Sequence, residues 1–175
     1  SNYKVMNFIA PKTKFFLGGS ADVTTSTKTL IDKSRFISKE NPTGRNIAFG
    51  VREHAMGSIL NGLALCNLRV FGSCFLAFSD YMKPAIREAA MMNLPVTYIF
   101  THDSVSIGED GPTHEPIEQL PMLRSIPNFY TYRPADANEI IGCWQTILNN
   151  DKPSSIVLSR SKCKNLVNNI FRYNA

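Results

Sequence analysis

Short apolar runs alternate with segments of helical periodicity along the chain, and this alternation limits the possible folds more than any other feature. The apolar runs predict six β-strands, at residues 14–17, 45–49, 70–76, 96–101, 128–132 and 154–159. Strands that alternate with helices pair side by side in one mostly parallel sheet, with helices covering both faces. The pattern therefore predicts an α/β fold, a three-layer, doubly wound domain around a mostly parallel six-stranded sheet.

Local signals indicate where helices and turns begin. Helices are predicted between the strands at residues 53–64, 79–92, 116–125 and 137–149. Asp136 followed by Glu139 is similar to a capping box at the start of the last helix. Gly18 and Gly19 predict a tight turn that stops the first strand.

Length and composition are typical of one globular domain. The chain has 175 residues, of which 43% are hydrophobic and 19% are charged, so a disordered chain is not expected. No apolar run approaches membrane-spanning length, and the N-terminus lacks a signal-peptide pattern. We expect a domain over residues 14–160, a polar lead-in segment at residues 1–13 and a tail or linker at residues 161–175.

Charge and cysteine usage narrow the possible functions. The net charge of +5 is spread along the chain without a basic arm, so nucleic-acid binding has little support. A modestly basic balance suits an anionic small substrate such as a sugar phosphate. The four cysteines have no paired short spacing, which argues against a zinc site. We expect free thiols, a cytoplasmic location and no membrane association.

Polar side chains gather after the predicted strands. The densest group is THDSVSIGEDGPTHEP, residues 101–116, which holds two histidines and several acids around turn-forming glycines. A hydroxyl-rich segment at residues 20–29 follows the first strand, and Glu53 stands where the second strand meets a helix. Ligands of open α/β sheets bind beyond the carboxyl ends of the strands. The sequence therefore predicts a ligand site along one edge of the sheet.

Each of these features is also compatible with a purely structural role. Residues 101–116 are compatible with a solvated turn, the hydroxyls of residues 20–29 with turn caps, and Glu53 with helix capping. Phe75, Phe78 and Tyr81 recur at three-residue spacing, which is more often typical of a core than of a cofactor pocket. The density of polar groups after one buried strand favours a functional site.

Five motifs follow one another in a defined order. They are GGSADVTTST at residues 18–27, GVREHAM at 50–56, FLAFSDY at 75–81, THDSVSIGEDGPTHEP at 101–116 and RPADANE at 133–139. Together they resemble the pyrimidine-binding domain of transketolases, over about residues 14–160. The 1-deoxyxylulose-5-phosphate synthases share the DGPTH motif but typically lack the THDS and GVREH motifs, so they are the second candidate family. The chain departs from the family pattern within residues 63–72, which look one residue short, and after Arg160.

The resemblance implies a thiamine diphosphate-binding fold and transfer of a two-carbon ketol unit between ketose and aldose sugar phosphates, in the pentose phosphate pathway. Glu53 matches the catalytic glutamate that exchanges a proton with a ring nitrogen of the cofactor's aminopyrimidine. Phe75, Phe78 and Tyr81 match the aromatic pocket around the pyrimidine, where flat rings give a large apolar contact. Asp22 matches an aspartate near the thiazolium ring.

The resemblance also implies how the substrate is held. Ser26, His102 and Arg160 match contacts to the substrate phosphate, for which a hydroxyl, an imidazole and a guanidinium are well suited. Asp110 matches an aspartate that binds a substrate hydroxyl next to the reacting carbonyl. His114 matches a catalytic histidine near the carbonyl oxygen, where it can donate a hydrogen bond or move a proton.

Half of such a site is expected to come from another domain. In the family, a separate upstream domain with a Gly-Asp-Gly motif binds the diphosphate and its metal ion, Mg²⁺ or Ca²⁺, and this sequence lacks that motif. The resemblance therefore implies that the diphosphate-binding domain of a partner subunit completes the site in a homodimer. No metal ligand is expected in this chain.

Besides a different thiamine diphosphate enzyme, such as a 1-deoxyxylulose-5-phosphate synthase or a formaldehyde-using transketolase, three interpretations of the chain remain. It is expected to be inactive alone, either as an excised piece of a longer transketolase, which the possible tag residues Ser1 and Asn2 favour, or as one subunit of a split enzyme. A non-catalytic partner module is the third interpretation. Such a module would be expected to have lost Glu53, Asp110 and His114, which are all present.

Overall fold

The computed structural model describes residues 1–161 and 163–165, in which six β-strands form one sheet with every neighbouring pair parallel. The strands are β1 (Phe16–Ser20), β2 (Asn46–Ala48), β3 (Arg69–Phe75), β4 (Val96–Thr101), β5 (Tyr130–Tyr132) and β6 (Ser154–Val157). Their spatial order is β2-β1-β3-β4-β6-β5. The predicted α/β fold with a parallel six-stranded sheet is confirmed.

Helices cover both faces of this sheet. In the described part of the chain they are α1 (Asn2–Ile9), α2 (Thr24–Thr27), α3 (Glu53–Leu65), α4 (Ser79–Met91), α5 (Gln119–Arg124) and α6 (Ala137–Asn149). Two short 3₁₀ turns occur at Leu76–Phe78 and Pro112–His114. Across the ranges that the structure describes, none of these helices has the length and apolar composition needed to cross a bilayer.

Two apolar cores lie on opposite faces of the sheet, because successive side chains of a strand point to opposite sides. Tyr98 and Phe100 of β4 pack with α3, α4 and α5 on one face. Ile99 lies between them in sequence and packs with α1 and α6 on the other face, beside Trp144. Burial of these side chains holds the three layers together at about 25 cal/mol per Å² of apolar surface. Polar ligand groups are therefore confined to the edges of the sheet.

Gly18 and Gly19 lie inside β1, so the predicted turn at these residues is wrong. A Cβ atom at Gly18 would lie 1.9 Å from the carbonyl oxygen of Phe71, and one at Gly19 would lie 1.8 Å from that of Ile47. Both oxygens belong to the backbone of neighbouring strands and cannot move independently of the sheet. The two glycines therefore permit close approach of adjacent strands, a role that glycine can have within a sheet.

The segment expected to be a polar lead-in contains a helix that packs into the domain. Met6 of α1 is fully buried, and the indole nitrogen of Trp144 donates a hydrogen bond to the Asn2 side-chain oxygen at 2.7 Å. The guanidinium of Arg45 donates to the carbonyl oxygens of Ala10 and Thr13 and so fastens the connection to β1. Most of the predicted tail, residues 161–175, falls outside the described residues.

The predicted cap of α6 is confirmed. The Asp136 carboxylate accepts hydrogen bonds from the backbone nitrogens of Asn138 and Glu139 at 2.9 and 3.0 Å. The Glu139 carboxylate reaches back and accepts a hydrogen bond from the backbone nitrogen of Ala135 at 2.7 Å. These contacts satisfy donors that the first helical turn leaves without intrahelical partners. They also fix where the chain turns after Arg133, whose side chain reaches the candidate site.

Candidate active site

The polar and aromatic residues predicted to form a site lie at the carboxyl ends of the parallel strands. Phe75 is the last residue of β3 and is the register partner of Thr101, the last residue of β4. The next residue, His102, therefore stacks on Phe75, with ring centroids 3.8 Å apart and ring planes 29° apart. Both side chains are buried, although neither belongs to the two cores between the sheet and its helices.

The loop after β4 brings His114 to the same place. Its ring centroid lies 6.0 Å from that of Phe75 and 5.0 Å from that of Phe78, which it meets edge-on. Phe75 and Phe78 stack with centroids 5.8 Å apart, and Tyr81 extends the row outward at 6.2 Å from Phe78. Exposure increases along the row, from 7% at Phe75 to 67% at Tyr81. This row ends at the surface and is not simply a part of the core.

Glu53 reaches this edge because α3 crosses from β2 past β1 to pack against β3. It is the first residue of α3 and is half-buried. Burial raises the pKa of the Cys74 thiol, and the Glu53 carboxylate raises it further, so the two groups are near each other. Cys74 is the next-to-last residue of β3, so Glu53 lies near the carboxyl end of that strand.

Arg160 closes the other side of the site. Its guanidinium donates to the Ile107 carbonyl oxygen at 2.5 Å, to the Asp110 carboxylate at 3.2 Å and to the Glu109 carboxylate at 3.3 Å. The ion pairs are partly exposed, so each contributes little to stability. Arg160 therefore fastens the loop after β4 through contacts that a competing anion can replace.

The groups around His102 affect its protonation. Burial lowers the pKa of His102, and the charges of Arg160 and His114 lower it further, whereas the Asp110 carboxylate opposes them. All three charged or titratable neighbours come from the loop after β4 or from the end of β6. Six residues are joined by these contacts, and Glu53 lies near the strand end that carries one of them. We call the seven the rim cluster: Glu53, Phe75, Phe78, His102, Asp110, His114 and Arg160.

The hydroxyl-rich segment after β1 behaves differently. The hydroxyls of Thr27, Thr29 and Ser73 hydrogen-bond to one another at 2.7 to 3.2 Å in a buried group that we call the hydroxyl network. Ser20 and Thr24 form a separate pair at 2.7 Å. Most hydroxyls of this segment therefore have a structural role, because they bond to other hydroxyls of the protein.

Two predicted site residues of that segment remain at the surface. Asp22 and Ser26 are exposed, and within the described residues their side chains make no hydrogen bond. Asp22 has a left-handed backbone with φ of 66° at the turn after β1. The structure gives no contact between either side chain and the rim cluster.

Several side chains that support the rim cluster are not identified by the sequence analysis. Asp103 is buried and pairs with Arg133, which joins the loop after β4 to the loop before α6. The hydroxyls of Thr101 and Thr113 hydrogen-bond to Nδ1 of the histidine that follows each, at 2.9 and 2.8 Å. The sequence signal for these hydroxyls is the dipeptide Thr-His, which occurs at the end of β4 and again in the loop that follows it.

Comparison with known proteins gives a consistent result. The family model described as the pyrimidine-binding domain of transketolase matches residues 2–165. The transketolase of Bacillus subtilis is 53% identical over 162 residues, which cover 91% of this chain and 24% of that protein. The transketolase of Aquifex aeolicus is 49% identical over 165 residues. The chain therefore spans about a quarter of the length of the curated relatives it matches.

Solved structures agree with the sequence relatives. A transketolase structure from Campylobacter jejuni has a TM-score of 0.89 at 48% identity and covers 94% of this chain and 26% of that one. A transketolase from Pichia stipitis in complex with sedoheptulose 7-phosphate has a TM-score of 0.89 at 36% identity, with the same coverage. The chain belongs to the family of transketolase pyrimidine-binding domains.

Proposed function

We propose that this chain is the pyrimidine-binding part of a transketolase that uses thiamine diphosphate to transfer a two-carbon ketol unit between sugar phosphates. The observation that carries the proposal is that a half-buried glutamate, Glu53, lies near the carboxyl end of β3, the strand end from which the row of stacked aromatic rings begins. A ligand that is flat, aromatic and basic at a ring nitrogen suits both features. Family membership points to the same cofactor.

The residues present fit the pyrimidine end of this cofactor. Phe75 and Phe78 offer two rings whose planes differ by 22°, and Tyr81 leaves much of its ring exposed for a further contact. Within the described residues, no cluster of histidine, cysteine or acidic side chains suits a metal ion. We assign Mg²⁺ or Ca²⁺ and the diphosphate to a separate domain because the family resemblance implies one, and we assign the aromatic contacts to this chain.

Glu53 is the residue that moves a proton. When bound, thiamine diphosphate supplies the nucleophilic carbon that carries the ketol unit. The Glu53 carboxyl would exchange a proton with the pyrimidine ring nitrogen, which is general acid–base chemistry. Glu53 stands in the first turn of α3, near the end of β3, and the partner domain would exclude water from it.

The remaining rim cluster binds the sugar phosphate. Arg160, His102 and Ser26 are the proposed phosphate contacts, and Asp110 holds a substrate hydroxyl near the carbonyl. Arg160 and Asp110 form an ion pair. We infer that the phosphate takes the place of Asp110 on Arg160 and that the freed carboxylate then accepts the substrate hydroxyl. His114 donates its N–H to the carbonyl oxygen as negative charge develops there.

A second domain must complete this site. We propose that the diphosphate-binding domain of a partner subunit covers the aromatic row in a homodimer, and that the assembled enzyme acts in the cytoplasm in the pentose phosphate pathway. Tyr81 is 67% exposed in this chain, which leaves a large ring available for such a contact. The chain alone is expected to lack ketol-transfer activity, because a metal-bridged diphosphate is the strongest charged anchor of the cofactor.

Two measurements test the proposal. A polypeptide that joins this chain to its diphosphate-binding domain is assayed with xylulose 5-phosphate plus ribose 5-phosphate, and separately with pyruvate plus glyceraldehyde 3-phosphate. Turnover of the first pair supports transketolase activity, whereas turnover of the second pair alone would assign the chain to the deoxyxylulose phosphate synthases. Calorimetric titration of the chain alone with thiamine diphosphate and Mg²⁺ is expected to show weak binding, and submicromolar binding would contradict a half site.

A further inference from the structure

His102 is held on two sides by this chain. Its ring stacks on Phe75 with centroids 3.8 Å apart, and the residue is 6% exposed. Its Nδ1 atom is hydrogen-bonded to the hydroxyl oxygen of Thr101 at 2.9 Å. In the described part of the chain, Nε2 has no hydrogen-bond partner, so it is the ring nitrogen left for a ligand.

The hydrogen of the Thr101 hydroxyl decides which nitrogen of His102 carries the proton. Thr101 is buried, with 7% of its surface exposed, and within the described residues its hydroxyl makes a single hydrogen bond, the one to Nδ1. A neutral imidazole has one donor nitrogen and one acceptor nitrogen. If Nδ1 carried the proton, the hydroxyl would accept it and its own hydrogen would be buried without an acceptor, which is unfavourable. The hydroxyl therefore donates to Nδ1, and the ring proton is on Nε2.

We propose that Thr101 is a positioning residue that holds His102 in the tautomer protonated at Nε2, so that the neutral ring offers an N–H donor to an anionic ligand. The opposite tautomer would present a lone pair to that ligand and repel a phosphate oxygen. The identification of the ligand as a substrate phosphate rests on the proposed function, whereas the tautomer itself does not.

The charges around His102 make the tautomer important. Burial lowers the pKa of its imidazole, Arg160 and His114 lower it further, and Asp110 opposes them. A doubly protonated ring would donate from both nitrogens and would need no tautomer selection. The lowered pKa favours the neutral ring, and the capacity of a neutral ring to donate at Nε2 depends on the proton being kept away from Nδ1.

The chain contains a natural comparison for this arrangement. Thr113 and His114 repeat the same dipeptide, with the hydroxyl 2.8 Å from Nδ1. Thr113, however, is exposed, so water can accept its hydroxyl hydrogen and either direction of the hydrogen bond is satisfied. Of these two pairs, only the buried one, Thr101 and His102, restricts its imidazole to one tautomer.

Nitrogen NMR of the imidazole rings measures this directly. The chain has three histidines, so ¹⁵N-histidine labelling gives three ring systems, assigned with His54→Gln and His114→Gln variants. At pH 7, His102 is expected to show one tautomer, protonated at Nε2. Thr101→Val, which keeps the β-branched shape for β4, is expected to give a mixture, and Thr101→Ser is expected to restore the single tautomer. Thr113→Val is the matched control and should leave the His102 pattern unchanged.

Two results would overturn the proposal: a His102 ring protonated at Nδ1 in the unchanged chain, or a single Nε2 tautomer that persists in Thr101→Val. Circular dichroism checks that the variants fold, and Thr101→Ala provides the same test if Thr101→Val does not. The measurement needs neither cofactor nor sugar. The NMR result therefore does not depend on whether the chain is part of a transketolase. A wrong tautomer proposal can be distinguished from a wrong functional proposal.

Discussion

The segments after β1 and β4 are both dense in polar residues, but their side chains find different partners in the structure. Residues 20–29 are crowded with hydroxyls and residues 101–116 with histidines and acids, and both follow a strand at the carboxyl edge of the sheet. After β1, most hydroxyls bond to one another in the hydroxyl network and in the Ser20–Thr24 pair. After β4, the side chains stack on the aromatic row or pair with Arg160 at the edge.

This comparison shows that the density of polar residues does not separate a structural role from a functional one. Thr29 is fully buried and its hydroxyl bonds to the hydroxyls of Thr27 and Ser73, so a ligand cannot reach it. His102 is nearly as buried, yet one of its ring nitrogens stays without a protein partner in the described residues. In this pair, the ring nitrogen left open at the edge of the sheet, rather than the residue type, separates His102 from Thr29. Four experiments test this distinction, from the largest expected effect to the smallest.

Glu53→Gln should affect activity far more than stability. In an enzyme that contains the diphosphate-binding domain, ketol transfer is expected to fall by about 10²–10⁴-fold, the usual contribution of a general acid–base group. The free energy of unfolding should change by less than about 0.5 kcal/mol, because Glu53 is half-buried and its side chain makes no hydrogen bond in the described residues. Proton exchange at the reactive cofactor carbon, followed by NMR, reports the same step, and unchanged exchange would remove Glu53 from this role. Glu40→Gln, at an exposed distant site, is the control.

Thr29→Val should show the reverse pattern. It removes a hydroxyl that lies 2.7 Å from Ser73 and 2.9 Å from Thr27, and leaves both of these buried groups with fewer partners. We expect a loss of about 1–3 kcal/mol in the free energy of unfolding, measured with urea on this chain. Thr25→Val on the exposed side of α2 is the control, expected within about 0.5 kcal/mol of the parent chain. Equal effects of the two variants would mean that the hydroxyl network contributes nothing.

Ser26→Ala tests whether an exposed hydroxyl of residues 20–29 binds the substrate or has no role in the site. If its exposed hydroxyl contacts the substrate phosphate, its loss removes a hydrogen bond of about 1 kcal/mol. KM for the sugar phosphate should then rise about fivefold with kcat and stability unchanged, since Ser26 supports no other described side chain. A KM equal to that of a Thr25→Ala control would place Ser26 with the structural hydroxyls.

The lowered pKa of His102 should make a measurable contribution to the pH dependence of stability, and we expect this to be the smallest of the four effects. Its pKa is lowered in the folded chain, so between that value and the unfolded value of about 6.5 the unfolded chain binds more protons. Stability should therefore rise with pH through this window and level off above it. Arg160 and His114 strengthen the effect and Asp110 weakens it. Urea unfolding at pH 5 and pH 7 should show a smaller difference in His102→Gln, and an unchanged difference in the exposed control His54→Gln.

Much of the fold follows from local patterns. The bounds predicted for β4 are those observed, and the cap at Asp136 forms as the pattern Asp136–Glu139 predicts. Helix α5 is shorter than predicted and begins at Gln119. That residue is fixed by tertiary contacts, because its side chain donates to Asp80 of α4 and accepts from the backbone nitrogen of Ile117. Local sequence signals predict the bounds of a strand or helix well where no contact with a residue distant in sequence moves them.

The sequence by itself determined the parallel sheet, the edge at which polar groups gather and the family, because periodicity and motifs are properties of short segments. Tertiary structure alone decided that Gly18 and Gly19 belong inside a strand, since the reason is the carbonyl oxygens of Phe71 and Ile47 on neighbouring strands. It likewise decided which hydroxyls bond internally and which imidazole nitrogen stays free. Those outcomes depend on partners that are distant in sequence and only the folded chain brings together.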